Sequence, residues 1–254
     1  MLEITNLTRR FGGLVAVDDV STVVEQGKVN AIIGPNGAGK TTFFNLINGS
    51  FVPSSGHIRF RGEDITGRRV DEIARLGIAR TFQATALFEQ ASVLDNLIVG
   101  HRLRTQSGLW DVLVRSARLA ADERVCREKA RDALDFVGLS PIAHRLAGDI
   151  SQEERKRVAI ALALSTEPSL MLLDEPAGGV NPEETAGLSE LIRKLVRHDV
   201  TVCLVEHKMN MIMQLADKIM VLNYGRKIAE GSPAEIRANP EVISAYLGSE
   251  HAEV

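Results

Sequence analysis

Thiols are scarce in this sequence: of 254 residues, only Cys126 and Cys203 carry one. Two cysteines cannot build a disulfide framework, and they fit a reducing compartment. Long apolar runs are also missing, since none approaches the roughly 20 residues needed to span a bilayer. Met1-Leu2-Glu3 opens no signal peptide. The chain is therefore expected to be soluble and cytoplasmic, with any membrane role coming through partners. Charge of one sign is lacking as well: 30 basic against 33 acidic residues leave a formal net charge of −3. That balance gives no global pull towards nucleic acid or an anionic membrane surface. There are no internal repeats and no low-complexity tract, and the lone Trp110 in Gly108-Leu109-Trp110 carries no signal. What remains is a hydrophobic content of 44%, enough for a sizeable core. At this length, one large domain or a core with a subdomain is expected.

The most informative stretch is Gly34-Pro35-Asn36-Gly37-Ala38-Gly39-Lys40-Thr41. It follows the apolar run Val29-Asn30-Ala31-Ile32-Ile33, which reads as a buried strand, and precedes Phe43-Phe44-Asn45-Leu46-Ile47, which continues as a helix. Strand, G-x-x-x-x-G-K-[ST] loop and helix are the context that a phosphate-binding P-loop requires. Glycines let backbone N–H groups converge on phosphate oxygens where a Cβ would block the approach. The start of the helix adds partial positive charge. Lys40 can reach the outer phosphates, and the Thr41 hydroxyl is placed to ligate Mg²⁺.

Along the chain, Leu2 to Leu7 alternates as a half-buried strand, and Val20 to Glu25 reads as a second. Between them, Arg10-Phe11-Gly12-Gly13 offers an aromatic that either stacks on a base or joins the core. Gly56 to Gly62 reads as a short strand. From about Asp95 to Ala147 the texture is helical, with Cys126, Ala130, Ala133 and Val137 at helical spacing and Gly138 as the stop. Ser169 to Leu173 and Val200 to Val205 read as buried strands ending in Asp174-Glu175 and Glu206-His207. Asn223-Tyr224-Gly225-Arg226 is a hairpin signature, and Ser232-Pro233-Ala234-Glu235 carries a capping box. Strands alternating with helices give a largely parallel α/β sheet, with ligands beyond the strands' carboxyl ends.

Four groups at these ends could serve the phosphates. Asp174 is placed to hold Mg²⁺, directly or through water. Glu175 is the candidate base for an attacking water. His207 could sense the γ-phosphate or position water, and Gln83 in Ala79-Arg80-Thr81-Phe82-Gln83 could reach metal or water. Each also has a bland reading as an ordinary polar turn or loop residue.

Taken in order, these residues resemble the ATP-binding subunit of ABC transporters over nearly the whole chain. The resemblance implies a P-loop NTPase with a RecA-like core, an antiparallel β subdomain and an inserted α-helical subdomain. The implied core is residues 1–83 and 165–254, with the helical subdomain at about 84–164. It makes Phe11 the adenine-stacking aromatic and Asn36, Gly37, Gly39, Lys40, Thr41 and Thr42 the nucleotide-binding loop. Gln83 becomes the Q-loop residue, Glu175 the catalytic glutamate and His207 the switch histidine, with Thr41, Gln83 and Asp174 around Mg²⁺. Phe11-Gly12-Gly13-Leu14-Val15-Ala16-Val17, Arg80-Thr81-Phe82-Gln83, Asp174 to Pro182 and the ending to Tyr246-Leu247-Gly248 are similar to the larger ATPase subunit of branched-chain amino acid importers. ATPases of urea or amide importers and of lipopolysaccharide exporters share much of this. Implied partners are transmembrane permease subunits, contacted around Gln83 to Val99 and Asp217-Lys218, and a second ATPase subunit. The implied location is peripheral, on the inner face of the cell membrane. Single-cassette length without coiled-coil insertions speaks against a soluble repair or translation ATPase.

One stretch departs from the family. Where Leu-Ser-Gly-Gly-Gln is usual, this chain has Ile150-Ser151-Gln152-Glu153-Glu154. Ser151 survives, but Glu153 replaces the glycine that lets a backbone approach ATP. Either two carboxylates crowd a helix start that should receive a γ-phosphate, or both point away and Ser151 still contacts ATP. Ser151 and Glu154 also form a capping box, so the helix can satisfy its own N–H groups. In a head-to-tail pair each ATP lies between one chain's P-loop and the other's signature. The expectation is an asymmetric heterodimer that keeps one good site, or else a weakly hydrolysing regulatory module.

Overall fold

The run Val29–Ile33 is buried at every position, as a strand in the middle of a parallel sheet must be. It forms β3, which pairs in parallel with β8 (Thr201–Val205) on one side and β9 (Lys218–Asn223) on the other. The computed structural model describes residues 1–81, 87–102 and 117–250. They form two compact units, Met1–Arg80 with Ser169–Val254, and Thr81–Pro168.

In the first unit, β10 (Arg226–Gly231), β9, β3, β8, β7 (Leu170–Asp174) and β6 (Ile78–Thr81) lie side by side in that order. β7 runs parallel to β8 with Leu170 opposite Thr201. The β9–β10 connection is antiparallel, and its two central residues, Tyr224 and Gly225, both have positive φ. That is the tight hairpin turn whose twist suits paired strands. A second, antiparallel sheet has the order β2 (Leu14–Val24), β1 (Leu2–Phe11), β4 (Ser55–Phe60), β5 (Glu63–Asp64).

β1 and β2 extend further than the alternation in the sequence indicates. Gly12, at φ 56, closes a two-residue turn that lets both strands run up to it. The pairing also slips between Ile4 and Leu7, Leu7 and Arg9, and Arg9 and Arg10. Each slip shifts which side chains face inward, so a simple period of two loses track of the strand.

Helix α1 (Lys40–Ile47) carries Phe43, Phe44, Leu46 and Ile47 into a single apolar cluster. That cluster draws on Ile4, Val20 and Ile58 of one sheet and Ile32, Leu172 and Val205 of the other. The helix is thus pinned by both sheets. Full burial of a phenylalanine is worth about 1.5–3 kcal/mol, so Phe43 and Phe44 fix its placement. The remaining helices of this unit are α2 (Val70–Arg75), α6 (Pro182–Arg197), α7 (Met209–Leu215), α8 (Pro233–Ala238) and α9 (Pro240–Glu250).

The second unit is built on α3 (Val93–Arg102), α4 (Ala117–Phe136) and α5 (Gln152–Leu164), which pack on one another. Cys126, Ala130, Ala133 and Val137 are buried, as their spacing predicts, and Gly138 at φ 76 follows the helix end. Gly108-Leu109-Trp110 lies outside the described residues.

Burial pushes the Cys203 thiol up to about 12, and Cys126 is buried as well. A buried, protonated thiol is a poor nucleophile. Both cysteines should react with a disulfide reagent such as DTNB at least ~100-fold more slowly in the native chain than in the denatured one. Fast labelling of either native thiol would contradict this packing.

Candidate nucleotide site

The P-loop leaves β3 at Gly34, where an added Cβ would meet the Leu222 carbonyl oxygen at 2.1 Å. It enters α1 at Gly39, φ 100, where a Cβ would fall 2.3 Å from the Ala16 carbonyl oxygen. The hairpin turn braces the loop: the Gly225 N–H donates to the Ala38 carbonyl (3.0 Å), and the Gly225 carbonyl accepts from Asp18 N–H (2.8 Å). Lys40 folds back to donate to the carbonyls of Gly34 (2.7 Å) and Pro35 (2.8 Å). Burial pulls the pKa of its ammonium below the usual lysine range, against the opposing charges of Glu175 and Asp174.

Helix α1 starts without a side-chain cap and with no acidic residue in its first turn. By contrast α5, α6 and α8 begin with Ser151, Asn181 and Ser232, each in a capping box. The open N–H groups of α1 face a cleft of about 490 Å³ lined by residues 36–42, Glu175, His207, Leu14, Val15, Ala16, Tyr224 and Gly225. A glycine-walled, basic, uncapped helix start is suited to phosphate.

At the end of β7, Asp174 is 5% exposed and accepts from Arg80 Nη2 at 2.7 Å. Arg80 also donates to Asn45 of α1 at 2.5 Å and lies over the Phe44 ring. Glu175 follows at φ 47, a conformation that costs a non-glycine residue about 1–3 kcal/mol. That geometry turns its side chain to His207, whose Nε2 lies 2.9 Å from Oε1. Its backbone N–H is held by the Val205 carbonyl at 2.9 Å. Glu206 is 2% exposed and accepts from Ala177 N–H and His207 N–H. Burial pushes its carboxyl up and Glu175 adds to the rise, while those two N–H groups pull it down.

The structure thus gathers Asn36, Gly37, Gly39, Lys40, Thr41, Thr42, Glu175 and His207 around one cleft. Phe11 sits apart from its lining: the ring is edge-on to Phe51 at 5.3 Å, with the Arg9 guanidinium 4.5 Å from its centroid. Gln83 lies outside the described residues. Asp217 and Lys218 are engaged internally, Asp217 with Val29 N–H (2.8 Å) and Lys218 with Glu230 (2.7 Å). Sequence reasoning missed Arg80, Glu206 and Tyr224. Tyr224 is 87% exposed at the cleft rim, and its turn motif located the hairpin without revealing what the hairpin touches.

In the second unit, the two signature carboxylates diverge. Glu154 turns back to accept the Ser151 N–H at 2.6 Å, while the Ser151 hydroxyl accepts Glu154 N–H at 3.1 Å. Arg145 approaches Glu154 at 3.6 Å. Glu153 instead points along the helix into an ion pair with Arg157.

The ABC transporter family matches residues 17–178. The chain belongs to that family. A second match, to the branched-chain amino acid ATP-binding cassette transporter family, covers residues 226–252 of the cassette. The cassette is 43% identical to the high-affinity branched-chain amino acid transport ATP-binding protein BraF of Pseudomonas aeruginosa, over 98% of each chain. It is 39% identical to the corresponding protein LivG of Escherichia coli, again over 98% of each. Its fold superposes on a crystal structure of an ATP-binding cassette in its ADP conformation, with TM-score 0.86, 32% identity and 98% of each chain covered. The protein is an ATPase of the transporter class with a P-loop α/β fold, as its motifs imply.

Donor chemistry here also fits a hard divalent cation. The Thr41 hydroxyl and the Asp174 carboxylate are hard oxygen donors of the kind Mg²⁺ takes alongside phosphate. Breaking a buried ion pair by removing one partner costs about 3–5 kcal/mol. Arg80→Met should therefore lower the unfolding free energy of the cassette by about 3 kcal/mol in a urea titration. A loss below about 0.5 kcal/mol would mean that Arg80 does not hold Asp174.

Proposed function

We propose that this cassette is the ATPase subunit of an importer for branched-chain amino acids. The observation that carries this reading is the C-terminal match at residues 226–252, a segment separate in sequence from the P-loop motifs that all cassettes share. The curated relatives carry the same transport description in their names. No helix among the described residues is long and apolar enough to cross a membrane. The cassette then reaches the membrane through permease subunits, on its cytoplasmic side.

In this reading ATP lies along residues 36–42, with phosphate oxygens on the α1 N–H groups and Phe11 or the cleft rim beside the base. Lys40 exchanges its two loop carbonyls for the outer phosphates. Mg²⁺, when bound, would neutralise phosphate charge, held by Thr41 and Asp174, with Gln83 as a further candidate. Glu175 orients and deprotonates the attacking water, and His207 holds the Glu175 carboxylate and the γ-phosphate region in register. The catalytic core is residues 1–83 and 165–254, and the helical subdomain about 84–164 carries the signature.

The same reading makes the cassette one half of a heterodimer. At its signature, Ser151 and Glu154 already satisfy each other's N–H groups, which a partner's γ-phosphate would have to displace. The Glu154 carboxylate held at that helix start also repels phosphate at close range. The cassette offers a sound P-loop and a poor signature, and so calls for a partner whose own signature is intact.

Cargo is tested by uptake in cells lacking the chromosomal gene. Complementation with the unaltered chain should restore uptake of labelled leucine, isoleucine and valine, and Lys40→Ala should abolish it to background. Unchanged leucine uptake in the deleted strain, with loss of urea or amide uptake instead, would reassign the cargo.

A further inference from the structure

Glu206 is a buried carboxylate for which neither the motifs nor the reaction gives a role. At 2% exposure it is among the least accessible charged residues described. Its two oxygens are used separately: Oε1 accepts Ala177 N–H at 3.1 Å, and Oε2 accepts His207 N–H at 2.9 Å. Ala177 belongs to the turn that begins at Glu175, where the Gly178 N–H donates to the Glu175 carbonyl at 3.0 Å. His207 begins the loop after β8. One side chain therefore spans the two loops that carry Glu175 and His207, whose own side chains meet at 2.9 Å.

We propose that Glu206 is a positioning residue for hydrolysis, a clasp that holds the Glu175 turn and the His207 loop in register. This rests on the reading of Glu175 and His207 as the catalytic pair. A carboxylate suits the task because both of its oxygens accept, whereas an amide offers one acceptor and turns an N–H₂ towards the other donor. The neighbouring Lys208 reinforces the join, donating from Nζ to the Val180 carbonyl (2.5 Å) and to Thr185 Oγ1 (3.0 Å). Holding a charge in this buried place is costly unless it is fully hydrogen-bonded. Replacing it should therefore cost some stability through the donor left unpaired, and the rate through the lost register.

The test uses Glu206→Gln in the full chain. Its melting temperature should fall by less than about 10 °C, and its affinity for ATP should remain within about twofold, since the P-loop is untouched. Amide hydrogen exchange at Ala177 or at His207 should accelerate about tenfold or more, with P-loop amides unaffected. In the assembled transporter, kcat for ATP should fall about tenfold with KM unchanged. In a His207→Ala background the same substitution should cost less than about twofold, because the two residues act as a unit. Unchanged exchange at both amides, or a loss of ATP affinity that accompanies the loss of kcat, would overturn the proposal. Faster exchange with unaltered kcat would overturn the proposal, whereas an unaltered kcat in His207→Ala alone would overturn the catalytic reading of the pair on which it rests. If Glu206→Gln proves insoluble, Glu206→Asp carries the test: it keeps the charge, cannot span both donors, and should show the same exchange and kcat losses.

Discussion

Helix α1 begins with its backbone N–H groups bare, and most of the first unit is arranged to make that tolerable. A helix start normally recruits a side-chain oxygen, as α5, α6 and α8 do here. At α1 the preceding residue is Gly39, pressed against the Ala16 carbonyl so tightly that no side chain fits. The stability forgone is offset by Phe43, Phe44, Leu46 and Ile47, which hold the helix between two sheets. The open donors then remain available to phosphate. Lys40 completes the arrangement by bonding two loop carbonyls, which keeps the loop in shape before a nucleotide enters.

Around that open helix the acidic groups are rationed by geometry. Asp174 is held by Arg80, which also reaches Asn45 on α1 and so ties β7 to that helix. Glu175 is turned by its positive φ towards His207. Glu206 stays out of the cleft altogether and binds backbone donors of both loops. Three carboxylates at neighbouring strand ends thus make different hydrogen bonds: Asp174 with Arg80, Glu175 with the His207 ring, and Glu206 with two backbone N–H groups. The signature helix follows the opposite rule from α1: it satisfies its own start, and Glu153 is drawn off by Arg157.

Much of this was legible in the sequence where the information is local. The P-loop, the 223–226 hairpin and the capping boxes at Ser151 and Ser232 each depend on a few adjacent residues, and each appears where expected. The signature was legible only in part, since the sequence could not say that Glu154 would turn back while Glu153 turned away. Contacts between distant residues were not legible at all. Arg80 and Asp174 meet across the sheet, and Glu206 finds Ala177 only because β7 and β8 are neighbours. Strand order decides those meetings, and periodicity carries no trace of it. The slipped pairing of β1 and β2 hid their length for a related reason: apolar alternation signals a strand only while the register holds.

The account turns on the contrast between a P-loop built to receive ATP and a signature that closes on itself. Sizing in solution with Mg²⁺ and ATP tests that contrast most directly, using Glu175→Gln to slow hydrolysis and trap the bound state. The chain carrying Glu175→Gln alone should remain monomeric, and adding Glu154→Ala, which frees the Ser151 N–H, should make it dimerise. Equal dimerisation with and without Glu154→Ala would contradict the account and make the cassette a homodimeric ATPase.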